Sequence, residues 1–540
     1  MSIFEHSLAL LLLVTGLSVV ARWLPWPEPI TYVTGGVVCA LVPAFPFVAL
    51  DPGFFFLCFL PPLLFADGWV MPLREFAKAR SQILLLAVGL VAFTTVGVGL
   101  IAYWLVPGLP LAMAFALGAL VSPTDAVAVN AITEKLKVPT RLRIVLNGES
   151  LMNDATGLVA FKFALAALAA GTFSAGAIVP EFLLLSVGGL AVGFALAYLV
   201  GRARDLLRTT GNADPLVETT LSLLTPYAAY LAAEHLHVSG ILGVVAAGLY
   251  SGWRDPVRMD VATRQTAWAV WSAVIFWLNG LVFVLLGLQL PELVEAVAGT
   301  HSAAQLVLFT ATIAGATMLL RIAWFFPGAY LPAVWTKRCR AEEERPSWRE
   351  MFVGGWAGMR GAVTLAAALA IPLTRPDGTP FPGRDIVVFL AAGVVVATLL
   401  VQGTTLSGLI RRLGLRDDGM HGREERRARI AAVEAGLAVL RQIEAGTTAP
   451  EEIAALGHVA GEYEQRLSEL AAEGETRANA RVRRAAERRF RIAALAAERR
   501  TIDELWRNDT IADDVHRPLQ QLLDHEEAML RAQPEATPAN

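Results

Sequence analysis

Charged residues and cysteines are scarce in this chain. Asp, Glu, Lys and Arg make up 17% of its 540 residues, whereas a soluble domain carries about a quarter. The three cysteines, Cys39, Cys58 and Cys339, lie far apart without metal-ligand spacing, which argues against a disulfide framework or a cysteine metal site. With 55% hydrophobic residues and a mean hydropathy of +0.52, the composition is that of a membrane protein.

Motifs for nucleotide hydrolysis and catalysis are also missing. The sequence contains no Gly-x-x-x-x-Gly-Lys-Ser/Thr run, and residues 411–540 show no catalytic or DNA-binding motif. We therefore expect a protein that is not an enzyme, needs no cofactor and binds no nucleic acid. The first apolar segment lacks a basic region before it and is followed by many others, so it is predicted to be a transmembrane helix rather than a signal peptide.

Apolar segments long enough to cross a bilayer recur through residues 1–410. A span needs roughly 20 apolar residues. About thirteen segments qualify under this rule: 3–22, 28–44, 52–71, 82–106, 110–133, 144–170, 178–201, 215–234, 238–252, 266–290, 303–330, 350–372 and 386–410. The third is interrupted by Pro61-Pro62 and Asp67, and the ninth is short.

The loop charges provide an independent check of this count. Lys and Arg concentrate in alternate loops, at Arg22, 74–80, 135–143, 202–208, 254–264, 337–349 and the tail from Arg411. Because basic loops stay in the cytoplasm, the pattern predicts an odd number of spans with the N-terminus outside and the tail inside. Only the loop 373–385, which contains Arg375 and Arg384, does not fit this alternation. The multi-pass chain would lie in a membrane, surrounded by lipid.

The charge-rich residues 413–540 form a separate region. Helices are predicted from Arg423 to Ile443, from Glu451 to Trp506 and up to Arg531, with a break at 447–451 and a disordered end. This tail could regulate the membrane domain 1–412 or support a dimer. It could also be a solvated helical appendage.

Ser122-Pro123-Thr124-Asp125 interrupts one of the apolar segments. Because Pro123 lacks an N–H and clashes with the preceding turn, the helix is expected to kink or unwind there. Unwound backbone at membrane depth is tolerated where it lines a cavity or is buried in protein. The freed carbonyls near Thr124 suit Na⁺, and Asp125 makes a simple proline kink the weaker interpretation.

The run Asn147-Gly148-Glu149-Ser150-Leu151-Met152-Asn153-Asp154 places polar residues in a second apolar segment. Ser150, Asn153 and Asp154 share one helix face at spacings of three and four residues. A carboxylate at this depth is costly, and hydrogen-bond networks that only join helices usually employ neutral side chains. Asp154 is therefore predicted to bind a cation and a proton in turn.

Glu149 requires a partner, and Arg321 is the candidate because it also lies within an apolar segment. Removing one member of such a buried pair would leave an uncompensated charge. Alternatively, Arg321 extends its side chain to the interface.

The stretch Gly354-Gly355-Trp356-Ala357-Gly358-Met359-Arg360-Gly361-Ala362 predicts a second interrupted helix, where Arg360 could neutralise the ends of the half-helices. Two such segments in different halves of a chain indicate a transport site between inverted repeats. Asp67 is either an accessory carboxylate at a funnel or a residue at a helix end, and both interpretations stay open.

These residues resemble the monovalent cation:proton antiporter family, in its sodium/proton exchanger branch, over about residues 1–412. The most specific parts are Gly148-Glu149-Ser150…Asn153-Asp154, Thr124-Asp125 and Met359-Arg360-Gly361-Ala362. The segment 61–69 and the Arg-rich tail are most similar to bacterial members with long tails. The resemblance implies an all-helical membrane protein of about thirteen spans in two inverted repeats, with two interrupted crossing helices.

The resemblance also implies the roles of individual residues. Asp154 would be the essential ion- and proton-binding carboxylate, and Thr124, Asp125 and Ser150 would supply further ligands, with Na⁺ at Asp154, Thr124 and Ser150. Asn153 would mark the electroneutral branch, and Glu149 with Arg321 would form a stabilising ion pair. A core domain would move against a dimerisation domain in a homodimer.

The expected function is therefore exchange of Na⁺, or of Li⁺ or K⁺, for H⁺ by alternating access, electroneutral at one to one, in pH and cation homeostasis. A K⁺-preferring antiporter is the nearest alternative, since both ions accept oxygen ligands. A cation channel is disfavoured because no filter motif is present. A membrane sensor is disfavoured because the tail lacks a signalling motif.

Overall fold

The structure is a computed structural model, and nearly all of its described residues are helical. It describes residues 3–24, 26–42, 52–136, 138–170, 175–335, 347–374, 379–415, 420–446, 450–472, 474–508 and 510–531. Within these ranges the extended pairing is limited to one isolated bridge between Thr374 and Pro380. The prediction of an all-helical protein is confirmed.

The chain divides into two compact units, Met1–Asp417 and Asp418–Asn540. The helices of the first unit are α1 (Ile3–Ala21), α2 (Glu28–Ala40), α3 (Pro52–Cys58), α4 (Leu60–Val70), α5 (Leu73–Leu84), α6 (Val91–Leu105), α7 (Leu111–Val121), α8 (Ala126–Leu136), α9 (Thr140–Ala170), α10 (Ala175–Thr209), α11 (Pro215–His235), α12 (Gly240–Arg258), α13 (Val261–Ala298), α14 (Ala303–Trp335), α15 (Trp348–Trp356), α16 (Ala362–Leu369) and α17 (Arg384–Leu413). A π-helical turn, Leu85–Leu90, joins α5 to α6.

Every predicted apolar segment contains a helix or a pair of helices. The third segment is split into α3 and α4, and the short ninth segment corresponds to α12, which continues to Arg258. Six helices among the described residues are long and apolar enough to cross a membrane by themselves. The number of spans, about thirteen, therefore stays a prediction.

Two of the segments are interrupted near their middle. The first breaks between α7 and α8, where Pro123 has no N–H to donate to the Ala119 carbonyl. The Ser122 hydroxyl donates to that carbonyl instead, at 2.9 Å. The second breaks between α15 and α16, over residues 357–361. Each interrupted segment is followed by a long helix, α9 and α17 respectively, so the same order of elements occurs twice.

The helices of the first unit pack as two bundles. The scaffold bundle consists of α1–α4 with α10–α13, and the core bundle consists of α5–α9 with α14–α17, which includes both interrupted segments. Most helix contacts lie within a bundle, and fewer join the two, chiefly α13 with α17, α12 with α9 and α3 with α16. The long apolar stretches are buried mainly against helices of their own bundle.

The second unit contains α18 (Met420–Gly446), α19 (Pro450–Ala471), α20 (Gly474–Arg507) and α21 (Asp513–Arg531). The predicted helix from Glu451 to Trp506 is wrong as one continuous element, because α19 ends at Ala471. Arg426 donates to the carbonyl oxygens of Leu470 and Ala472 at 2.6 and 3.0 Å. These carbonyls would otherwise lack partners at a helix end, so a side chain from α18 stabilises the break.

The contact between α20 and α21 is predicted to depend on pH. The His516 hydrogen bond to Asp503, 2.9 Å from Nε2 to Oδ1, holds the pKa of Asp503 below its usual value. The contact therefore stabilises the pair above the ordinary Asp pKa of about 4, and this stabilisation is lost as the pH falls through the lower folded value.

Hydrogen exchange of α21 in the full chain, corrected for intrinsic rates, should therefore show protection that declines below about pH 4. In Asp503→Asn the protection at neutral pH should be lower and this acid transition should become smaller, while the pair of Arg499 on α20 with Glu527 on α21 retains part of it. An unaltered transition in the variant would contradict the assignment.

Candidate functional site

The two helix breaks meet each other within the core bundle. The Asp125 N–H donates to the Met359 carbonyl at 2.8 Å, and the Arg360 Nε donates to the Val121 carbonyl at 2.8 Å. Val121 is the last residue of α7, so Arg360 from one break satisfies the end of a half-helix in the other. The interrupted segments are thus joined by backbone groups that a continuous helix would not offer.

Arg360 is almost fully buried, with 1% of its surface exposed. Its guanidinium also donates to the Gly358 carbonyl, and its backbone N–H donates to Thr398 Oγ1 at 3.2 Å. The carboxyl ends of α7 and α15 carry partial negative charge from their helix dipoles. A buried guanidinium between them can compensate that charge.

A network of hydrogen bonds connects α9 to the first break. Asn153 Nδ2 donates to Thr124 Oγ1 at 3.0 Å, and the Ser150 hydroxyl donates to the Thr124 carbonyl. Thr124, Ser150 and Asn153 are all buried. The structure therefore brings together three of the predicted site residues, through a carbonyl that the break after Pro123 releases.

Glu149 and Arg321 form an ion pair in which neither side chain has any exposed surface. Nη2 of Arg321 lies 2.9 Å from Oε2 of Glu149, and Nη1 contacts Oε1. Nη2 also donates to the Gly354 carbonyl at 3.3 Å. Arg321 thereby links α9, α14 and α15 inside the protein, and its side chain does not extend to an interface.

The same carboxylate of Glu149 is an acceptor for the polar face of α9. Thr124 Oγ1 and Asn153 Nδ2 each lie 3.4 Å from Glu149 Oε1. The oxygen Asn153 Oδ1 is buried and has no hydrogen-bond partner among the described residues. The amide therefore presents an uncommitted acceptor beside the break while its nitrogen is held in place.

Three carboxylates, those of Asp67, Asp125 and Asp154, interact electrostatically with one another. In contrast to Glu149 and Asn153, all three are only partly buried. Asp125 lies against Gly361, where a side chain would collide with its carboxylate. Among the described residues no three His, Cys, Asp or Glu side chains gather as metal ligands. The three carboxylates thus act on each other through space.

Asp154 lies on α9 beside Asn153 and interacts electrostatically with Asp125 at the first break. Hydroxyl, carbonyl and carboxylate oxygens are ligands for hard cations. A carboxylate can hold either a cation or a proton, so partial accessibility permits exchange between them. Lys162, two turns further along α9, is directed elsewhere: its Nζ lies 3.8 Å from Glu234 Oε1, and 66% of its side chain is exposed.

Sequence reasoning missed some of the residues that shape this site. Thr398 of α17 accepts a hydrogen bond from the Arg360 backbone, and Val121 contributes only its carbonyl. A single Thr within an apolar helix is common in membrane proteins, and a backbone carbonyl has no side-chain signature. No sequence signal distinguished either of them.

Comparison with known proteins gives a consistent result. The family model described as "Sodium/hydrogen exchanger, transmembrane" matches residues 9–412. An uncharacterized Na⁺/H⁺ exchanger of Escherichia coli K12, YjcE, is 38% identical over 549 aligned positions, which cover 98% of this chain and 99% of that protein. The sodium, potassium, lithium and rubidium/H⁺ antiporter of Bacillus subtilis 168 is 34% identical over 526 positions, covering 96% and 77%.

Among solved structures, the sodium proton antiporter MjNhaP1 from Methanocaldococcus jannaschii has a similar fold. The TM-score is 0.59 at 18% sequence identity, and the match covers 76% of this chain and 99% of that one. At this identity the likeness concerns the fold alone.

Proposed function

Because the chain belongs to the sodium/hydrogen exchanger family, we propose that it is a secondary antiporter that exchanges Na⁺ for H⁺ across the membrane. The observation that carries this proposal is Asp154, a partly buried carboxylate on α9 that interacts electrostatically with Asp125 at the break of the first interrupted segment. Intramembrane carboxylates of this kind mark ion or proton pathways. The driving force would be the ion gradients, without ATP.

In the proposed cycle, Asp154 binds either Na⁺ or H⁺ and never both. Thr124, Asp125 and Ser150 are the neighbouring groups that would supply oxygen ligands to the ion. The core bundle would move against the scaffold bundle and so open the site to one side of the membrane at a time. Since Asn153 does not titrate, the pair Asn153-Asp154 offers one exchangeable charge, which supports electroneutral exchange at one to one.

The buried ion pair and Arg360 would have structural roles in this cycle. Glu149 with Arg321 holds α9 against α14 and α15, and Arg360 holds the two breaks together. Neither guanidinium would contact the transported ion. Asp67, the carboxylate contributed by the scaffold bundle, would act as an accessory group at the entrance to the site.

Potassium is the second candidate substrate. The relative from Bacillus subtilis is named for sodium, potassium, lithium and rubidium, so the family includes a protein whose name lists several alkali cations. Na⁺, K⁺ and Li⁺ all accept the oxygen ligands of this site, and selection among them depends on cavity size and ligand number.

The proposal includes a cellular setting. The protein would be a homodimer in a bacterial inner membrane, with its N-terminus outside, its tail in the cytoplasm and a role in pH and cation homeostasis. The basic residues of alternate loops support this orientation. Residues 413–540 would then be a cytoplasmic regulatory region, since their helices carry the dense charges of a soluble segment.

Exchange can be measured in proteoliposomes that contain a pH-sensitive dye and an acidic interior. Addition of external Na⁺ should make the interior alkaline with saturation kinetics, and choline should have no effect. Parallel additions of Li⁺ and K⁺ determine the selectivity. Setting the membrane potential to different values with gradients of a permeant anion such as thiocyanate, in the absence of K⁺, should leave the rate of Na⁺-driven flux unchanged if exchange is electroneutral. The absence of any cation-driven flux would contradict the proposed function.

A further inference from the structure

Helix α4, which carries Asp67, has two different faces. Leu63, Asp67 and Val70 lie at spacings of four and three residues and are its least buried positions, whereas Phe65 and Trp69 are buried. Since residues two apart on a helix point in nearly opposite directions, Asp67 lies away from the Phe65 and Trp69 side. The carboxylate interacts electrostatically with Asp125 and Asp154.

The other face of α4 is packed closely onto α12 of the scaffold bundle. A side chain on Gly248 would collide with the Phe65 backbone, and one on Gly252 would collide with the Trp69 backbone. Two glycines four residues apart allow such an approach between membrane helices. The Phe65 ring also stacks on Trp271 of α13, with centroids 5.2 Å apart. Helix α4 is thus fixed to the scaffold along the side opposite to Asp67.

Trp69 ends this contact with a buried hydrogen bond. Its Nε1–H donates to Asp255 Oδ2 on α12 at 3.2 Å. Trp69 is 8% exposed and Asp255 only 2%. Asp255 is held in turn by Arg204 of α10, whose Nη1 lies 3.0 Å from Oδ1. The indole therefore binds a carboxylate whose position is already set by an ion pair.

That ion pair belongs to a larger ionic cluster, which comprises Arg204, Asp205, Arg208, Glu218, Arg254 and Asp255. Arg208 Nε donates to Glu218 on α11 at 2.9 Å, and Arg254 Nη2 lies 2.5 Å from Asp205. The cluster ties α10, α11 and α12 together with charges that balance, three basic and three acidic. Buried charges in a network are rigid because each loses its partners if it moves.

We propose that Trp69 is a positioning residue of the transport site. Its hydrogen bond to Asp255 sets the rotation and depth of α4 and so fixes the Asp67 carboxylate on the stationary bundle, facing Asp125 and Asp154 of the moving one. The cation would then be attracted by a carboxylate of each bundle at the entrance. This inference rests on the proposed function, because it assigns Asp67 a share in cation capture.

The competing interpretation is that Trp69 only contributes to packing. The chain contains a matched control for this possibility in Trp271, which is 1% exposed in the same bundle. Its Nε1–H donates to the Ser222 hydroxyl on α11 at 3.1 Å. Replacing either indole with Phe removes one buried hydrogen bond of similar length from the scaffold. Trp271 also contacts α4 through the Phe65 ring, and Phe at this position keeps an aromatic ring for that contact. Of the two hydrogen bonds, only that of Trp69 involves the helix that carries Asp67.

The test compares Trp69→Phe and Trp271→Phe in proteoliposomes. For Trp69→Phe we expect the apparent KM for Na⁺ to rise about fivefold to tenfold, the scale of one weakened hydrogen bond to a charged group, with little change in the maximal rate. Trp271→Phe should keep the KM of the wild-type protein. The thermal unfolding temperature should fall by a similar amount in both variants, since both lose one buried hydrogen bond.

A second measurement is Na⁺-induced thermal stabilisation of the purified variants, which should be weaker in Trp69→Phe alone. If Trp69→Phe does not fold, Asp255→Asn, which removes the charge that orients the indole, replaces it in the comparison. An unchanged KM in the Trp69 or Asp255 variant, or equal changes in the Trp69 and Trp271 variants, would overturn the inference. Absence of Na⁺-driven flux in the wild-type protein would instead overturn the proposed function.

Discussion

Replacing Asp154 with Asn is expected to reduce Na⁺-driven proton flux to the background of protein-free liposomes. The amide keeps the size of the side chain and can still supply one oxygen ligand. It cannot take up and release a proton near neutral pH, so the alternation between cation and proton is lost. We expect the rate to fall at least about a hundredfold, because a positioned proton-transfer group typically contributes a factor of this size or more.

The matched control is Lys162→Gln, two turns further along the same helix. Its side chain is 66% exposed and pairs only loosely with Glu234, so transport should stay near the wild-type rate. Size-exclusion profiles and thermal unfolding of both variants should match those of the parent protein. Wild-type exchange in Asp154→Asn would show that another group carries the proton.

Glu149→Gln is expected to lower the free energy of unfolding by about 3–5 kcal/mol, because it leaves Arg321 charged, buried and without its partner. Both side chains have no exposed surface in the structure. The Gln amide can still accept from Thr124 and Asn153, so the loss is specific to the charge. Thermal or denaturant unfolding in detergent micelles measures it.

The double variant Glu149→Gln with Arg321→Gln should recover part of this stability, since neither buried charge then remains. Lys162→Gln again provides the control: it breaks an exposed pair, which contributes about 0–1 kcal/mol. If Glu149→Gln unfolds no more easily than Lys162→Gln, the Glu149–Arg321 pair does not stabilise the fold as its geometry indicates.

Both helix breaks could be predicted from sequence, because their causes are local. Proline cannot donate a backbone hydrogen bond, and the glycines at 354–361 weaken a helix wherever they occur. The shared face of Ser150, Asn153 and Asp154 follows from helical periodicity alone. Arg321 could be matched to Glu149 because few charges lie within apolar segments, so each has few possible partners.

The remaining features depend on which helices become neighbours, and the sequence alone does not determine this. Trp69 and Asp255 are 186 residues apart, and nothing in either segment indicates that the other is close. Arg426 ends α19 from another helix, whereas the local sequence around Ala471 favours continuation. The role of Asp67 stayed open for the same reason, since a helix end and a funnel carboxylate have the same local pattern.

The two bundles would have different roles in transport. The core bundle carries Asp125 and Asp154 on or beside the broken segments, where Arg360 and the Glu149–Arg321 pair limit distortion. The scaffold bundle carries Asp67 on a helix that is fixed by glycine contacts and by the ionic cluster. Movement of one bundle against the other would change the distances between these carboxylates, and thereby the field that a bound cation experiences.

The central claim is coupled exchange of a cation for a proton. The most direct test is uptake of radioactive Na⁺ into proteoliposomes with an acidic interior and without K⁺, which is a candidate substrate. A permeant anion such as thiocyanate, at equal concentration on both sides, holds the membrane potential at zero. We predict that Na⁺ accumulates above its external concentration, and that collapsing the pH gradient with a protonophore releases it. Uptake that only reaches equilibrium, and that follows the membrane potential rather than the pH gradient, would indicate a channel and contradict the account.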